Sequence, residues 1–224
     1  MFDFLDRPVR TCQARTVAAR QPVQERARRR REALLDAAAR LLVRGGWEAL
    51  TTRDLAAEAG VAIGTVYDYF GDREGVLVGL LGRYEERLWG AIEAALEGAT
   101  DVDRAAAAAV DAFARVWFEE PGYAEAWLGA RAPELLSRTG AEWSARFEPL
   151  LAAAVARFAP AVAPEQGRVI AMAAMHLVSG LLLAAATSPP ERREALVGEC
   201  RVALSAYLRA RLTPGPNLSA QAPP

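Results

Sequence analysis

Residues 51–73 read TTRDLAAEAGVAIGTVYDYFGDR, and their spacing predicts two short helices meeting across a tight turn. Thr51 and Thr52 carry hydroxyls suited to capping a helix N-terminus, and the first segment runs through Leu55 and Ala56 to Ala59. Gly60 stands where a helix C-cap needs a residue that tolerates positive φ. Val61 returns to a core, and the second helix sets Val66 and Phe70 at i, i+4 on its inner side. Gly64, Thr65, Tyr67 and Tyr69 are left as an outward edge of small, hydroxyl-bearing and aromatic groups. Two short helices joined at a glycine, the second with such an edge, describe a helix-turn-helix.

The flanks extend the helical pattern. On the N-terminal side a helix is expected over about 24–44, with Leu34, Ala38, Leu41 and Leu42 inward and Gly45-Gly46 as its stop. Trp47 and Leu50 then close a small core. On the C-terminal side Asp72 can cap a longer helix. Its Val76, Leu77, Leu80, Leu81, Tyr84 and Leu88 keep helical spacing, and it reaches about residue 97. Starting in one unit and ending in the next, that helix is a mechanical link. Beyond residue 101 further helices are expected over 101–119, 123–130, 133 or 139 to 158, 164–186 and 190–212, punctuated by prolines. Alanine and leucine dominate, strand formers never alternate and no hairpin signal occurs, so the fold class is all-α.

Composition removes several chemistries. The 224-residue chain has no lysine, so all 27 basic residues are arginine. A P-loop, a Schiff-base enzyme and a Ser-x-x-Lys hydrolase all need that lysine. The single histidine, His176, excludes a multi-histidine metal site, and no cofactor or metal is expected. Cys12 and Cys200 are far apart in sequence and read as free thiols of a reducing compartment. The net charge of -1 hides an asymmetry: residues 7–31 hold nine arginines against Glu25 alone. Basic charge therefore concentrates beside the helix-turn-helix, where a polyanion would bind.

The residues Gly60, Val61, Gly64, Thr65, Val66, Tyr67, Phe70, Arg73 and Glu74 stand in one register. With the flanking LVRGGWEALTTRDLA and DREGVLVGLL, this stretch of about residues 28–88 resembles the DNA-binding unit of the TetR family of transcriptional regulators. The resemblance implies an N-terminal three-helix DNA-binding domain followed by a larger helical ligand-binding and dimerisation domain. The expected division is a basic, disordered arm over 1–24, the DNA-binding domain over 25–72 with its helix-turn-helix at about 52–70, the effector and dimer domain over 73–212, and a disordered tail over 213–224. The arm is either a plain tail or a set of arginines reaching phosphates.

The expected DNA contacts are Thr52, Arg53, Gly64, Thr65, Tyr67, Tyr69, Arg73, Arg28 and Arg31. Thr52 and Arg53 stand at a helix N-terminus, where free amides and a cation suit an anion. In the family, positions matching Tyr67 and Tyr69 commonly touch the DNA backbone; the plainer reading of both is packing. Gly64 lets a backbone approach the groove, and Thr65 can meet a thymine methyl or a phosphate. Arg73 stands where relatives often carry lysine and can still reach phosphate. Arg28 and Arg31 fall in the first turns of a helix, where cations oppose the dipole and a nearby phosphate explains them better. Two departures leave the DNA sequence open: Ala62 replaces a capping Ser or Thr, and Asp68 puts a negative charge on the reading helix.

In the second domain Phe113, Trp117, Trp127, Trp143, Phe147, Met172, Met175 and His176 are candidates for an apolar or aromatic effector, or else simply core. The run from 169 to 187 is almost continuously apolar. It is alanine-rich and polar in its middle, so burial between the core and a partner subunit is expected rather than a membrane span. Leu177, Leu181, Leu196, Cys200, Leu204 and Tyr207 are the expected dimer contacts, the last two helices pairing with their symmetry mates in a four-helix bundle, as in the family. The expected partners are an operator in double-stranded DNA, a second copy and a small-molecule effector, with no membrane. The setting is the bacterial cytoplasm, at the nucleoid when operator is bound. No catalytic residues are expected. Two other classes remain open: a helical hydrolase using His176 and Ser179, and a helical interaction protein that does not bind DNA.

Overall fold

The computed structural model describes residues 14–129 and 133–212, with side chains described over 24–128 and 140–212. These residues are all-α, with no strand among them, and form nine helices. The N-terminal group is α1 (Ala14–Ala49), α2 (Thr52–Ala59) and α3 (Ile63–Phe70), and α4 (Arg73–Glu97) leads out of it. The second group is α5 (Val102–Glu119), α6 (Tyr123–Gly129), α7 (Pro133–Phe158), α8 (Pro164–Ala186) and α9 (Pro190–Leu212).

The helix ends follow the local chemistry. Thr51 accepts from the Asp54 amide at 3.0 Å, Asp72 from the Gly75 amide at 2.7 Å and Asp101 from the Arg104 amide at 2.9 Å, each capping the helix that follows. Gly60 ends α2 at φ 65°, a left-handed conformation that a Cβ would oppose. α1 loses helical geometry at Gly45 and Gly46, as expected. Its start differs from expectation. Residues 14–23, assigned to a disordered arm, continue the helix through Pro22. The alanines, arginines and glutamines around Pro22 are strong helix formers and offset the lost donor and the ring clash that an interior proline brings. Residues 1–13 and the expected tail at 213–224 lie outside the described residues.

One buried cluster runs through both groups. Leu34, Leu35, Ala38 and Leu42 of α1, with Leu55 and Val66, meet Val76, Leu77, Leu80 and Leu81 on the first half of α4. Tyr84, Leu88, Ile92 and Leu96 carry the same face of α4 into the second group. α4 is thus the shared wall that the spacing predicted. Two polar ties fasten it. Arg83, buried, donates to Asp36 of α1 at 2.6 Å and lies 3.6 Å from Glu32. The Tyr84 hydroxyl donates to the Pro121 carbonyl. Beside it the turn at Gly122 (φ 78°) presses on α1, where an added Cβ would stand 3.0 Å from the Ala39 carbonyl oxygen. The connection into α6 therefore rests directly on the first helix.

α8 and α9 form a hairpin against α5 and α7. Arg201 reaches Asp111 at 2.6 Å and Arg209 holds Asp103 through two contacts of 2.6 and 2.8 Å, tying α9 to α5. These pairs are exposed and contribute little beyond register. α8 is long and apolar enough to cross a membrane by length and composition, yet Ile170, Ala171, Val178, Leu182 and Ala185 pack it into the bundle.

Candidate nucleic-acid interface

α2 and α3 present their polar edge on one side. Val66 is fully buried, as is Leu55 of α2, which turns Ile63, Gly64, Tyr67 and Asp68 outward. Tyr67 is 51% exposed, and its hydroxyl stands 3.4 Å from the Thr52 hydroxyl in the first turn of α2. Arg53 is exposed next to it. The N-terminus of α2, a cation, two hydroxyls and an aromatic edge therefore converge on one face, a set suited to phosphate oxygens. Gly64 is informative. A Cβ there would meet nothing within 4 Å, so no contact inside the protein demands glycine. Glycine in a helix is destabilising relative to alanine by roughly 0.5–1 kcal/mol, which leaves an outside surface as the reason for it.

Several predicted residues sit elsewhere. Tyr69 is half-buried against the core and tilted on Phe70 with ring centroids 6.3 Å apart, because it falls three residues after Val66 and shares its inner face. Thr65 is half-buried. Arg73 turns inward too: it donates to the Trp47 carbonyl and stacks 3.8 Å from the Trp47 ring. It staples the loop after α1 to the start of α4. Arg28 is bonded to Glu25 at 2.8 Å, and Arg31 lies 5.6 Å from the Phe70 ring centroid and 3.7 Å from Glu32. Ala62 is an N-cap without a side-chain bond, as its identity implies. Glu58, missed by the sequence reading, takes Arg40 at 2.8 Å and Arg44, and both hold its carboxyl below the usual range. It locks α2 to α1, and only the folded arrangement brings those residues together.

Residues 34–80 match the description "Bacterial regulatory proteins, tetR family", and residues 101–208 match "Tetracyclin repressor-like, C-terminal domain". The chain belongs to the TetR family of transcriptional regulators. Among TetR-family relatives, the transcriptional repressor KstR of Mycolicibacterium smegmatis is 42% identical over 36% of this chain and 40% of its own. The transcriptional regulator AlkX of Mycobacterium tuberculosis is 31% identical over 58% of this chain and 61% of its own. The chain thus spans between two fifths and three fifths of these curated relatives. A TetR-family regulator from Streptomyces coelicolor superposes with a TM-score of 0.64 at 27% identity, covering 82% of this chain and 99% of that one. The family is one of regulators and not enzymes, so the hydrolase reading of His176 and Ser179 is set aside.

The TetR-type second domain places the effector candidates in two groups. Trp117, Trp143 and Phe147 are buried, and Phe113, Trp127 and Met175 pack partly buried against the same core. Tyr84, Tyr123, Trp117, Trp127 and Trp143 form a chain of edge-on and tilted rings with centroids 4.9 to 6.4 Å apart. Met172 and His176 do not join them: both are exposed on the outer side of α8. A cavity of about 70 Å³ lies instead between α5, α7, α8 and α9, walled by Ala105, Leu151, Val155, Phe158, Ala171 and Leu208 among other apolar side chains. None of the predicted effector residues lines it. Alanine and leucine carry no local mark that would have singled this wall out.

Of the predicted dimer residues, two lie in the subunit interior and four keep part of their surface exposed. Cys200 and Leu204 are buried inside the subunit, and Leu177, Leu181 and Leu196 pack partly buried on its core. Tyr207 packs on the small cluster of Ile170, Ala171 and Val155. The outer stripe of α8 is Val169, Met172, His176, Gly180 and Leu183, and on α9 Val202 is exposed too. On a helix apolar nearly all round, only packing shows which side stays out.

Proposed function

We propose that the chain is a ligand-responsive repressor that binds a pseudo-palindromic operator as a homodimer and is released by a small apolar effector. Residues 25–72 form its DNA-binding unit and 73–212 its effector and dimer unit. The reading rests on one observation: the exposed edge of α3 sets Tyr67 beside Thr52 and holds a Gly64 that no contact inside the protein requires. Thr52, Arg53 and Tyr67 hold phosphates, while Gly64 and Thr65 approach the groove. Two such edges about 34 Å apart would read half-sites one helical turn apart. Repression is supported by the KstR relative, which is named a repressor.

The second copy docks on the exposed apolar stripe of α8, which carries Val169, Met172 and Leu183. The effector enters at the apolar cavity between α5 and α9. Its present size is far below the roughly 300–1,000 Å³ of ligand pockets, so binding must favour an expanded state. α4 and the α6 contact on α1 carry that change to the reading helices, and such a protein works in the cytoplasm, on the nucleoid when operator is bound.

The test is selection of duplexes from a random library by the full chain, followed by footprinting. A palindromic consensus whose binding is lost with Tyr67→Ala supports the reading. Failure to enrich any duplex overturns it.

A further inference from the structure

The part of α1 that precedes Leu34, where the family match begins, is helical from Ala14. Residues 14–31 carry seven arginines against Glu25. From Gln24 to Arg30 no residue is buried, and Arg26, Arg28, Arg29 and Arg30 are exposed. The root of this segment is fixed: Arg31 lies over Phe70, the last residue of the reading helix. Glu25 accepts from both Arg28 and Arg29, which answers two of the cations. Arg26 and Arg30, one turn apart, have no acidic partner among the described residues.

This arrangement is unfavourable in isolation. Cations one turn apart on a helix repel each other. An anionic surface along the helix removes that penalty. The segment leaves the domain beside Phe70, at the C-terminal end of α3.

We infer that this stretch of α1 is a second DNA contact, a basic helical rail on phosphates outside the half-site read by α3. The inference rests on the assignment of α2 and α3 to operator binding. The rail from Ala14 to Arg31 is about 25 Å long at ~1.5 Å per residue, which spans about seven base pairs at ~3.4 Å each. Duplex DNA is preferred to an acidic protein because it alone extends from the reading helix with a regular spacing of charge.

The experiment uses the full chain and two duplexes with the same footprinted operator, one ending at the half-sites and one extended by about eight base pairs on each side. Wild type is expected to bind the longer duplex about tenfold more tightly, with a log affinity against log salt slope steeper by about 3 to 4 for two arginines in each of two subunits. Arg26→Ala/Arg30→Ala should lose most of the preference for the longer duplex and leave the affinity for the short one unchanged. Alanine is the better helix former, so unchanged circular dichroism is expected of the variant. A long-duplex preference undiminished by the substitutions overturns the inference, as does its absence in wild type or an equal loss on both duplexes. Tyr67→Phe on the short duplex separates the two readings: weakened binding there upholds operator recognition even when the rail fails. If wild type binds neither duplex, both fall.

Discussion

The hydroxyls of Thr52 and Tyr67 stand 3.4 Å apart, one in the first turn of α2 and one on the outer side of α3. That distance joins two helices at the surface that faces away from the core, and two hydroxyls at this separation can grip one phosphate. Tyr67→Phe keeps the ring and removes this partner. A loss of about tenfold in operator affinity is expected, equal to roughly 1.4 kcal/mol for a bond to a charged group, with the oligomeric state unchanged. Fluorescence anisotropy and sedimentation velocity measure both, and unaltered affinity would remove Tyr67 from the interface.

Gly64→Ala separates fold from function. With open space around the added methyl, thermal stability should hold or rise by up to ~1 kcal/mol. Operator affinity should fall, because the backbone can no longer approach as closely. A variant that is more stable and binds normally would show that glycine serves no DNA contact.

The proposed dimer stripe on α8 predicts a clean dissociation. Leu183 is 44% exposed, so Leu183→Arg adds a charge without disturbing the subunit core. The variant should sediment as a folded monomer and lose cooperative operator binding. Leu204→Ala, at an interior position only 4% exposed, should instead lower stability by about 2–5 kcal/mol and leave the assembly intact in the remaining folded protein.

Tyr84 tests the link between the domains. Its buried hydroxyl donates to the Pro121 carbonyl beside the α6 contact on α1. Tyr84→Phe leaves that carbonyl without its donor, and stability should drop by about 1–2 kcal/mol in chemical denaturation. No change would mean that water takes the bond over.

Cys200 should be inert. Burial pushes its thiol from 9.0 up to about 11, so the neutral form is favoured and the thiolate appears only as pH climbs toward that value. At pH 8 roughly one molecule in a thousand would carry a thiolate there. In a Cys12→Ser background, alkylation should be slow natively and fast in denaturant. Rapid labelling of the folded chain would contradict the burial.

Much of the fold is written locally. Thr51, Gly60 and Asp72 are adjacent to the ends they define, and a cap needs only its own turn, so the helix-turn-helix could be read directly from residues 51–73. The site was read in part: Tyr67 and Gly64 lie outward as expected, while Tyr69 and Arg73 turn in, one beside Val66 and the other onto Trp47. Arg73 and Trp47 are far apart in the chain, and no local pattern announces a stack between them. In α8 and α9 the limit is contrast. Where nearly every residue is alanine, leucine, valine or methionine, a period of 3.6 has no polar face to mark the outside. Near neighbours along the chain were enough to make these segments helical and to stop them, because propensity and capping act within a turn. Which side of Val169, Cys200 or Leu204 meets the core needed the packed bundle to choose, since equal transfer energies on two faces leave shape to decide between them.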